Sequence, residues 1–276
     1  MPEIKQFTAN TKLSLSPFFE RTSKLNEAQS WSDWSGYLSA SNYALNHHIE
    51  YFTIRTKTAV IDVSPLKKYI INGPDSKKFL NYICTRNINA CKVGQVMYSP
   101  WCDESGKIID DGTIQRISKQ SFRITSAEPN YQWLIENSDN MDIEIIDDSE
   151  STSCLAIQGP QSKNVLNKVV KDNVGSLKFF RLLHTQIDNI PILISRTGYT
   201  GDLGFEIWMK YSDSLPVWDK LMQEGAPFGI APVGLLALDL ARIESGFVLL
   251  GVDYVSSLHS SIDSQKSNPY ELGLDW

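Results

Sequence analysis

Short apolar runs separated by polar turn residues occupy much of the chain, and they predict a series of β-strands. The runs cover residues 59–63, 95–102, 107–117, 121–126, 142–146, 192–196 and 204–209. Between two of these runs, Asp103-Glu104-Ser105-Gly106 has the composition of a tight turn. The pattern therefore indicates strands that are joined, at least in the middle of the chain, by short turns.

Other stretches predict helices near residues 42–58, 130–137, 213–224 and 235–245. In the last of these, Leu236, Leu240 and Ile243 recur at helical spacing and predict one apolar face. Asp239 and Arg242 lie three residues apart, which favours an ordinary ion pair on a partly exposed face. The first thirty residues are polar and predict irregular structure. Strands and helices mixed in this way indicate an α+β fold.

A strand–turn–helix unit occurs twice, at residues 69–81 and 155–167. The two copies share Gly, Pro, Ser, Lys, Leu and Asn at a constant offset of 86 residues. In each copy an apolar strand ends at a glycine, and the proline that follows favours the first helical turn. We expect two similar α+β halves that face each other, with a ligand channel between them. The alternative is a coincidence between two common strand–helix turns.

The composition is that of a soluble globular protein, since 42% of the 276 residues are hydrophobic and 21% are charged. The net charge of −6 argues against nucleic acid or an acidic membrane as a partner, because both favour a basic surface. No apolar run approaches the roughly 20 residues of a membrane span, and the first residues lack the apolar core of a signal peptide. We therefore expect a cytoplasmic protein.

Cysteines and histidines are spaced in a way that fits no metal site. The cysteines are Cys84, Cys91, Cys102 and Cys154, and the histidines are His47, His48, His184 and His259. We expect reduced, buried thiols and no bound metal.

Two adjacent acids, Asp110 and Asp111, follow Ile108-Ile109 within the run at 107–117 that predicts a strand. Neighbouring residues of a strand point to opposite faces, so at most one of the two faces any given pocket, and the pattern does not say which. A carboxylate in such a place can stabilise a developing positive charge or move a proton. The alternative is that both acids mark an edge strand or a bulge at Gly112.

Three glycines at a spacing of three stand in residues 195–206, which loosely resembles a phosphate loop but lacks its lysine. A β-hairpin with glycine turns is the better interpretation. Such a hairpin would hold Tyr199, which can stack on a flat ring, and Glu206, which can accept two N–H donors from a heteroaromatic edge. A purely structural hairpin is the alternative.

Several motifs occur together in the order in which one protein family carries them. They are Ser16-Pro17-Phe18-Phe19-Glu20, Ile61-Asp62-Val63-Ser64, Asn72-Gly73-Pro74, Tyr98, Ser105-Gly106-Lys107-Ile108-Ile109-Asp110-Asp111, Gln158-Gly159-Pro160, Ser195-Arg196-Thr197-Gly198-Tyr199-Thr200-Gly201 with Gly204-Phe205-Glu206, and Asn268-Pro269-Tyr270-Glu271-Leu272-Gly273-Leu274-Asp275-Trp276. The sequence therefore resembles, over nearly its whole length, the folate-dependent aminomethyltransferase family, which includes the T-protein of the glycine cleavage system.

The resemblance implies a fold and a site. It implies two related α+β subdomains, built of antiparallel sheets and helices, around a central channel for tetrahydrofolate. By position, Asp111 matches the family's catalytic acid and Glu206 the acid that binds the pterin edge. Tyr98 and Tyr199 match aromatic folate contacts, and Phe180 stands where the family has an aromatic residue beside the pterin. In the T-protein the aspartate helps to transfer a one-carbon unit from an amine to folate.

Four departures from the T-protein concern the substrate. Leu238 stands where T-proteins carry a folate-site arginine, and a leucine cannot form that charge-assisted bond. Ser64-Pro65-Leu66 replaces Ser-His-Met, and Asp33-Trp34-Ser35-Gly36 replaces an early Gly-Trp motif. The family's folate-site asparagine has no clear match, with Thr125 or Ser126 nearest. These changes favour a paralogue that takes its one-carbon group from a small donor other than lipoyl-borne glycine.

Family members continue past the segment that ends at Trp276 into a C-terminal β domain. We therefore expect residues 1–276 to form the folate-binding region alone, with the C-terminal barrel absent or supplied by a separate chain. The first functional hypothesis is a tetrahydrofolate-dependent transferase of one-carbon units from a small-molecule donor. The second is a tetrahydrofolate-dependent demethylase of a methylated amine, sulfonium or ether. The third is a folate-binding regulatory or assembly protein without catalysis.

Overall fold

The computed structural model describes residues 12–274, and the chain forms two compact units. The first unit comprises the residues up to Pro65 together with Glu150–Phe247. The second comprises Leu66–Ser149 and the residues from Val248 onward. Each unit combines a mainly antiparallel sheet with helices, so the predicted α+β class is confirmed.

The strands of the described residues are β1 (Ser14–Leu15), β2 (Ser30–Trp34), β3 (Tyr37–Asn42), β4 (Thr58–Asp62), β5 (Lys67–Asn72), β6 (Val96–Cys102), β7 (Ile108–Arg116), β8 (Ser121–Ser126), β9 (Glu144–Asp147), β10 (Thr152–Gln158), β11 (Leu182–Ile187), β12 (Ile190–Ser195), β13 (Gly204–Lys210) and β14 (Ile230–Pro232). Each strand predicted from an apolar run is present, with its ends within a few residues of the predicted ones. The strands β1, β2, β3, β11 and β14 were not among the predicted elements.

The helices are α1 (Phe19–Leu25), α2 (His47–Thr56), α3 (Ser76–Ile83), α4 (Tyr131–Glu136), α5 (Ser162–Val169), α6 (Ser214–Gly225) and α7 (Leu235–Glu244). Short 3-10 turns occur at Ile88–Ala90, Val174–Ser176, Tyr211–Asp213, Ala226–Phe228 and Asp263–Gln265. Among the described residues, no helix is both long enough and apolar enough to cross a membrane.

In the first unit, the described residues form a six-stranded sheet in the order β11-β12-β13-β10-β4-β14. The central strand β10 pairs antiparallel with both β13 and β4 and is buried along almost its whole length. Leu155 of β10 and Phe205 of β13 lie in one apolar core with Val165 of α5 and Leu221 of α6. The strand is central and buried because its run of consecutive apolar residues leaves no polar side to face water.

The prediction of irregular structure for the first thirty residues is wrong for part of that stretch, because α1 begins at Phe19. Just before the helix, Phe18 is fully buried, and its ring lies 5.8 Å from that of Trp218. Within α1 only Thr22 is buried, so the helix carries no apolar stripe that a pattern could reveal. A contact with a residue 200 positions away holds this segment.

In the second unit, the described residues form a five-stranded antiparallel sheet in the order β6-β7-β8-β5-β9. Its core contains Tyr69 of β5, Phe79 of α3, Trp101 of β6 and Phe122 of β8. The sheet edge formed by β6 and the adjoining β7 carries the predicted hairpin with the two acids. That hairpin is the structural setting of Asp111.

Both copies of the repeat fold as a strand, a tight turn and a helix: β5 and α3 in the second unit, β10 and α5 in the first. Their turn glycines, Gly73 and Gly159, have φ of +127° and +111°. A Cβ at Gly73 would lie 2.3 Å from the carbonyl oxygen of Asp142, and one at Gly159 would lie 2.6 Å from that of Ile54. Backbone conformation and close packing therefore require glycine at the same point of both copies.

The apolar face predicted for α7 is wrong. Leu236 and Ile243 are 43% and 55% exposed, whereas the buried face comprises Ala237, Leu238, Ala241 and Arg242. Small alanines allow this face to approach its neighbours closely, which a count of large apolar residues does not reveal.

Arg242 and Asp239 do form the predicted ion pair, at 2.8 Å between Nε and Oδ1. The arginine of this pair is buried rather than partly exposed, since its side chain is 3% exposed. Its Nη1 also donates a hydrogen bond to the carbonyl oxygen of Phe247. Arg242 thereby ties the end of α7 to the residues that follow it.

Candidate functional site

The two adjacent acids lie on β7, where Asp110 faces Trp101 and Asp111 faces Pro100 of β6. Asp110 is fully buried and Asp111 is half-buried. The alternation of the strand therefore separates the two carboxyls as expected. The structure adds what the pattern left open, since Asp111 is the acid of the pair with access to solvent.

Two phenols surround the carboxyl of Asp111. The hydroxyl of Tyr254 donates a hydrogen bond to Oδ1, and the hydroxyl of Tyr98 also bonds to this carboxyl. Burial raises the pKa of Asp111, and the two hydrogen bonds partly oppose that rise. Tyr98 and Asp111, both predicted from the sequence, are thus brought together. Tyr254 was not predicted, because it lies 143 residues further along the chain and belongs to no motif that marks it.

The buried Asp110 is held by nitrogen donors. It accepts hydrogen bonds from the backbone N–H of Glu128 at 3.0 Å, from the side-chain amide of Asn130 at 2.8 Å and from the N–H of Asp111 at 2.7 Å. Burial, and then the charge of Asp111, raise the pKa of Asp110 to about 7. These hydrogen bonds join β7 to the loop after β8. Because the site is buried, the ionised form of Asp110 lowers the stability of the folded protein.

We expect Asp110→Asn to change how stability depends on pH. A carboxyl whose pKa is raised on folding binds more protons folded than unfolded, so its stabilising contribution is present below about pH 4 and is lost as the pH rises towards 7. Asparagine does not titrate, so the variant should lack this contribution to the decrease in unfolding free energy between about pH 4 and 7. Urea unfolding at pH 4.5, 5.5, 6.5 and 7.5 measures the difference, with exposed Asp139→Asn as the control. Parallel curves for wild type and Asp110→Asn would contradict the assignment.

Glu206 lies on β13, opposite Ser195 of β12. Its Oε2 accepts hydrogen bonds from the hydroxyls of Thr197 at 2.6 Å and Ser195 at 3.2 Å. Among residues 12–274, none donates a hydrogen bond to Oε1. Burial raises the pKa of Glu206, and the two hydroxyls partly oppose that rise. One carboxylate oxygen is thus fixed by the protein and the other remains available to a ligand.

The glycines of this hairpin make room for Gln158. A Cβ at Gly198 or Gly204 would lie 2.1 or 2.0 Å from Gln158 Oε1. The Gln158 amide accepts from the Thr200 hydroxyl at 2.8 Å and donates to the carbonyl oxygen of Phe205 at 3.3 Å. Packing around a buried side chain accounts for two of the three glycines, without any phosphate. The hairpin interpretation is confirmed by the antiparallel pairing of β12 and β13.

Two predicted aromatic residues also lie in the first unit. The ring of Tyr199 stacks on that of Phe247, with centroids 5.5 Å apart and an angle of 18° between the planes. Phe247 was not predicted. Phe180 has φ of +56°, which is rare for a bulky residue, and its N–H donates to the carbonyl oxygen of Arg196 at 3.1 Å. Strained backbone of this kind occurs often at functional sites.

The predicted site residues are divided between the units. Asp111 and Tyr98 belong to the second unit, whereas Glu206, Tyr199 and Phe180 belong to the first. Their roles towards folate remain predictions. Among the described residues, no group of three or more histidine, cysteine, aspartate or glutamate side chains is arranged to hold a metal ion.

Comparisons with known proteins bear on the family. Residues 19–276 match the model of the GCVT N-terminal domain. An aminomethyltransferase of Halothermothrix orenii is 35% identical over 82% of this chain, which spans 62% of that relative's length. A trimethylamine-oxide aldolase of Ruegeria pomeroyi is 33% identical over 93% of this chain, which spans 33% of that relative.

A solved structure agrees with the sequence relatives. The glycine cleavage system aminomethyltransferase T from Bartonella henselae superposes with a TM-score of 0.84 at 26% identity, covering 96% of this chain and 69% of that one. A chain of the heterotetrameric sarcosine oxidase from Corynebacterium sp. U-96, with a TM-score of 0.54 and 17% identity, shares the fold. From its domain match, its relatives and this structural likeness, the chain belongs to the aminomethyltransferase family.

Proposed function

We propose that this protein transfers a one-carbon unit from a small donor to tetrahydrofolate. The observation that carries the proposal is the unequal hydrogen bonding of the two oxygens of the Glu206 carboxyl. Its Oε2 is held by two hydroxyls, while none of the described residues donates a hydrogen bond to Oε1. A half-buried carboxyl with one oxygen lacking a donor is suited to a ligand that brings its own N–H donors.

Tetrahydrofolate fits this acceptor. The edge of its pterin ring presents neighbouring N–H groups, and a carboxylate accepts such a pair with good geometry. Tyr199, already stacked on Phe247, offers an aromatic face of the kind on which a flat ring can pack. In this proposal Glu206 anchors the ring edge, and Tyr199 and Phe180 contact the ring.

Tyr98 and Asp111 carry the chemical part of the proposal. When bound, tetrahydrofolate supplies the nitrogen atoms that accept the one-carbon unit. The Asp111 carboxyl stabilises positive charge on the reacting donor, which a half-buried carboxylate does more strongly than one in water. Tyr98, which bonds to the same carboxyl, is proposed as an aromatic folate contact beside Asp111. Because only the ionised carboxylate carries the negative charge that this role needs, the ionised form of Asp111 is the active one.

A demethylase of a methylated amine, sulfonium or ether is the second candidate. The relative that favours it is the trimethylamine-oxide aldolase, whose match extends over 93% of this chain. Leu238, in the place of a folate-site arginine of T-proteins, is buried on α7 and offers no charge to a ligand. Both observations favour a small donor over a lipoyl-borne one.

The purified chain should be titrated with 5-formyltetrahydrofolate, a stable reduced folate, and then incubated with tetrahydrofolate and candidate donors. Tryptophan fluorescence and melting temperature report binding, and mass spectrometry of the folate reports transfer. N-methylated amines, methyl sulfonium compounds and methyl ethers are the donors to compare with aminomethyl donors. Saturable binding with transfer supports the proposal. Binding without transfer from any donor would favour a non-catalytic folate-binding protein, and a folded chain that binds no folate would refute the proposal.

A further inference from the structure

Tyr254 is a buried residue whose side-chain hydroxyl reaches Asp111. Its side chain is 4% exposed, and its hydroxyl donates to Asp111 Oδ1. Burial, and then the charge of Asp111, raise the pKa of the Tyr254 hydroxyl, so the phenol stays protonated and remains the donor. The phenol is therefore the donor in this contact whenever Asp111 is ionised.

Tyr254 belongs to residues 248–274, which we call the 248–274 segment. Backbone hydrogen bonds join this segment to the start of β7. The N–H of Ser257 donates to the carbonyl oxygen of Ile108 at 2.8 Å, and the N–H of Ile108 donates to the carbonyl oxygen of Ser267 at 2.9 Å. Both bonds involve a residue three positions before Asp111. The segment thus holds Tyr254 in register with the strand that bears the carboxyl.

Hydrogen bonds from two hydroxyls favour the ionised form of the Asp111 carboxyl. Asp110 on the same strand, Tyr98 of β6 and Tyr254 of the 248–274 segment are the titratable groups around it. Within the part of the chain that the structure describes, the groups that favour its ionised form are the two phenols. A half-buried carboxylate without a cationic partner relies on such hydrogen bonds both for its orientation and for keeping its charge.

We propose that Tyr254 is a positioning residue for Asp111, whose hydroxyl orients the carboxyl and keeps it ionised for the reaction. The inference rests on the proposed function, because it assigns Tyr254 a part in the chemistry of Asp111. It also assigns the 248–274 segment a role beyond packing, since this segment brings the donor to the strand. A purely structural tyrosine would stabilise the fold and leave the behaviour of the carboxyl unchanged.

The test compares Tyr254→Phe with Tyr270→Phe, a control in the same segment whose side chain is 77% exposed. Phenylalanine keeps the ring and removes the donor. In protein labelled with 13C at the aspartate carboxyls, the Asp111 signal is the one absent from Asp111→Asn. We expect this signal to titrate at higher pH in Tyr254→Phe than in wild type, because a hydrogen bond to the charged form lowers a pKa. Tyr270→Phe should titrate like wild type.

Turnover gives the second readout. If Asp111 must be ionised, the acid limb of the rate–pH profile should move to higher pH in Tyr254→Phe, with a loss of about tenfold on that limb, the size expected for a hydrogen bond to a charged group. Affinity for 5-formyltetrahydrofolate should stay at the wild-type value. An unchanged acid limb together with an unchanged carboxyl titration would overturn the inference.

Failure of this inference and failure of the proposed function are distinguishable. If wild type binds no folate and transfers nothing, the proposed function falls, yet the carboxyl titration still decides whether Tyr254 controls Asp111. If Tyr254→Phe does not fold, intact wild type decides instead. A hydroxyl proton bonded to a carboxylate resonates downfield in proton NMR, and the Tyr254 signal is the one that persists in Tyr98→Phe but is lost or moves upfield in Asp111→Asn. A spectrum without such a signal in wild type would overturn the inference.

Discussion

Replacing Asp111 by asparagine should lower turnover of a one-carbon donor by about 10²- to 10³-fold while affinity for reduced folate stays within about twofold of wild type. The amide has the same shape and can still accept the hydrogen bond from Tyr254. It carries no charge, so it cannot stabilise positive charge on the donor. The loss should therefore appear in kcat and not in folate binding.

The experiment measures donor turnover and folate titrations side by side. Glu104→Gln is the matched control, because Glu104 is an exposed acid in the turn of the same hairpin. Its variant should keep wild-type turnover. Full turnover by a folded Asp111→Asn that still binds folate would show that this carboxyl does not take part in the reaction. Equal losses in both variants would point to damage to the hairpin instead.

Glu206→Gln should weaken binding of 5-formyltetrahydrofolate by about 100-fold, which corresponds to the loss of charge-assisted hydrogen bonds to a half-buried carboxylate. Glutamine keeps the volume and still offers an oxygen to Thr197 and Ser195. Its amide nitrogen is a donor and would face a donor N–H of the ring, whereas a carboxylate oxygen in the same place accepts a hydrogen bond from it.

The same variant should not lower stability, because burial raises the pKa of Glu206 and the folded protein already disfavours its charge. Fluorescence titration and melting temperature, measured together, separate the two effects. Exposed Glu27→Gln, also in the first unit, serves as the control and should bind like wild type. Wild-type affinity in Glu206→Gln would mean that the folate edge is held elsewhere.

Much of the fold could be predicted from local pattern. Apolar runs located strands such as β7 and β13, and a Gly-Pro turn located the starts of α3 and α5. Those signals are local, because alternation, turn residues and helix starts depend on neighbours within a few positions. The N-terminal helix α1 escaped prediction, since it is held by the distant contact of Phe18 with Trp218 rather than by its own pattern.

By itself, the sequence determined that this protein is an α+β chain with a repeated strand–turn–helix unit and that Asp110 and Asp111 point to opposite faces. Only the tertiary structure decided which acid is half-exposed, that Tyr254 donates to Asp111 and that Phe247 stacks on Tyr199. A period of two residues separates the faces of a strand but does not say which face meets the core. That choice, and any contact between residues far apart in the sequence, depends on the path of the whole chain.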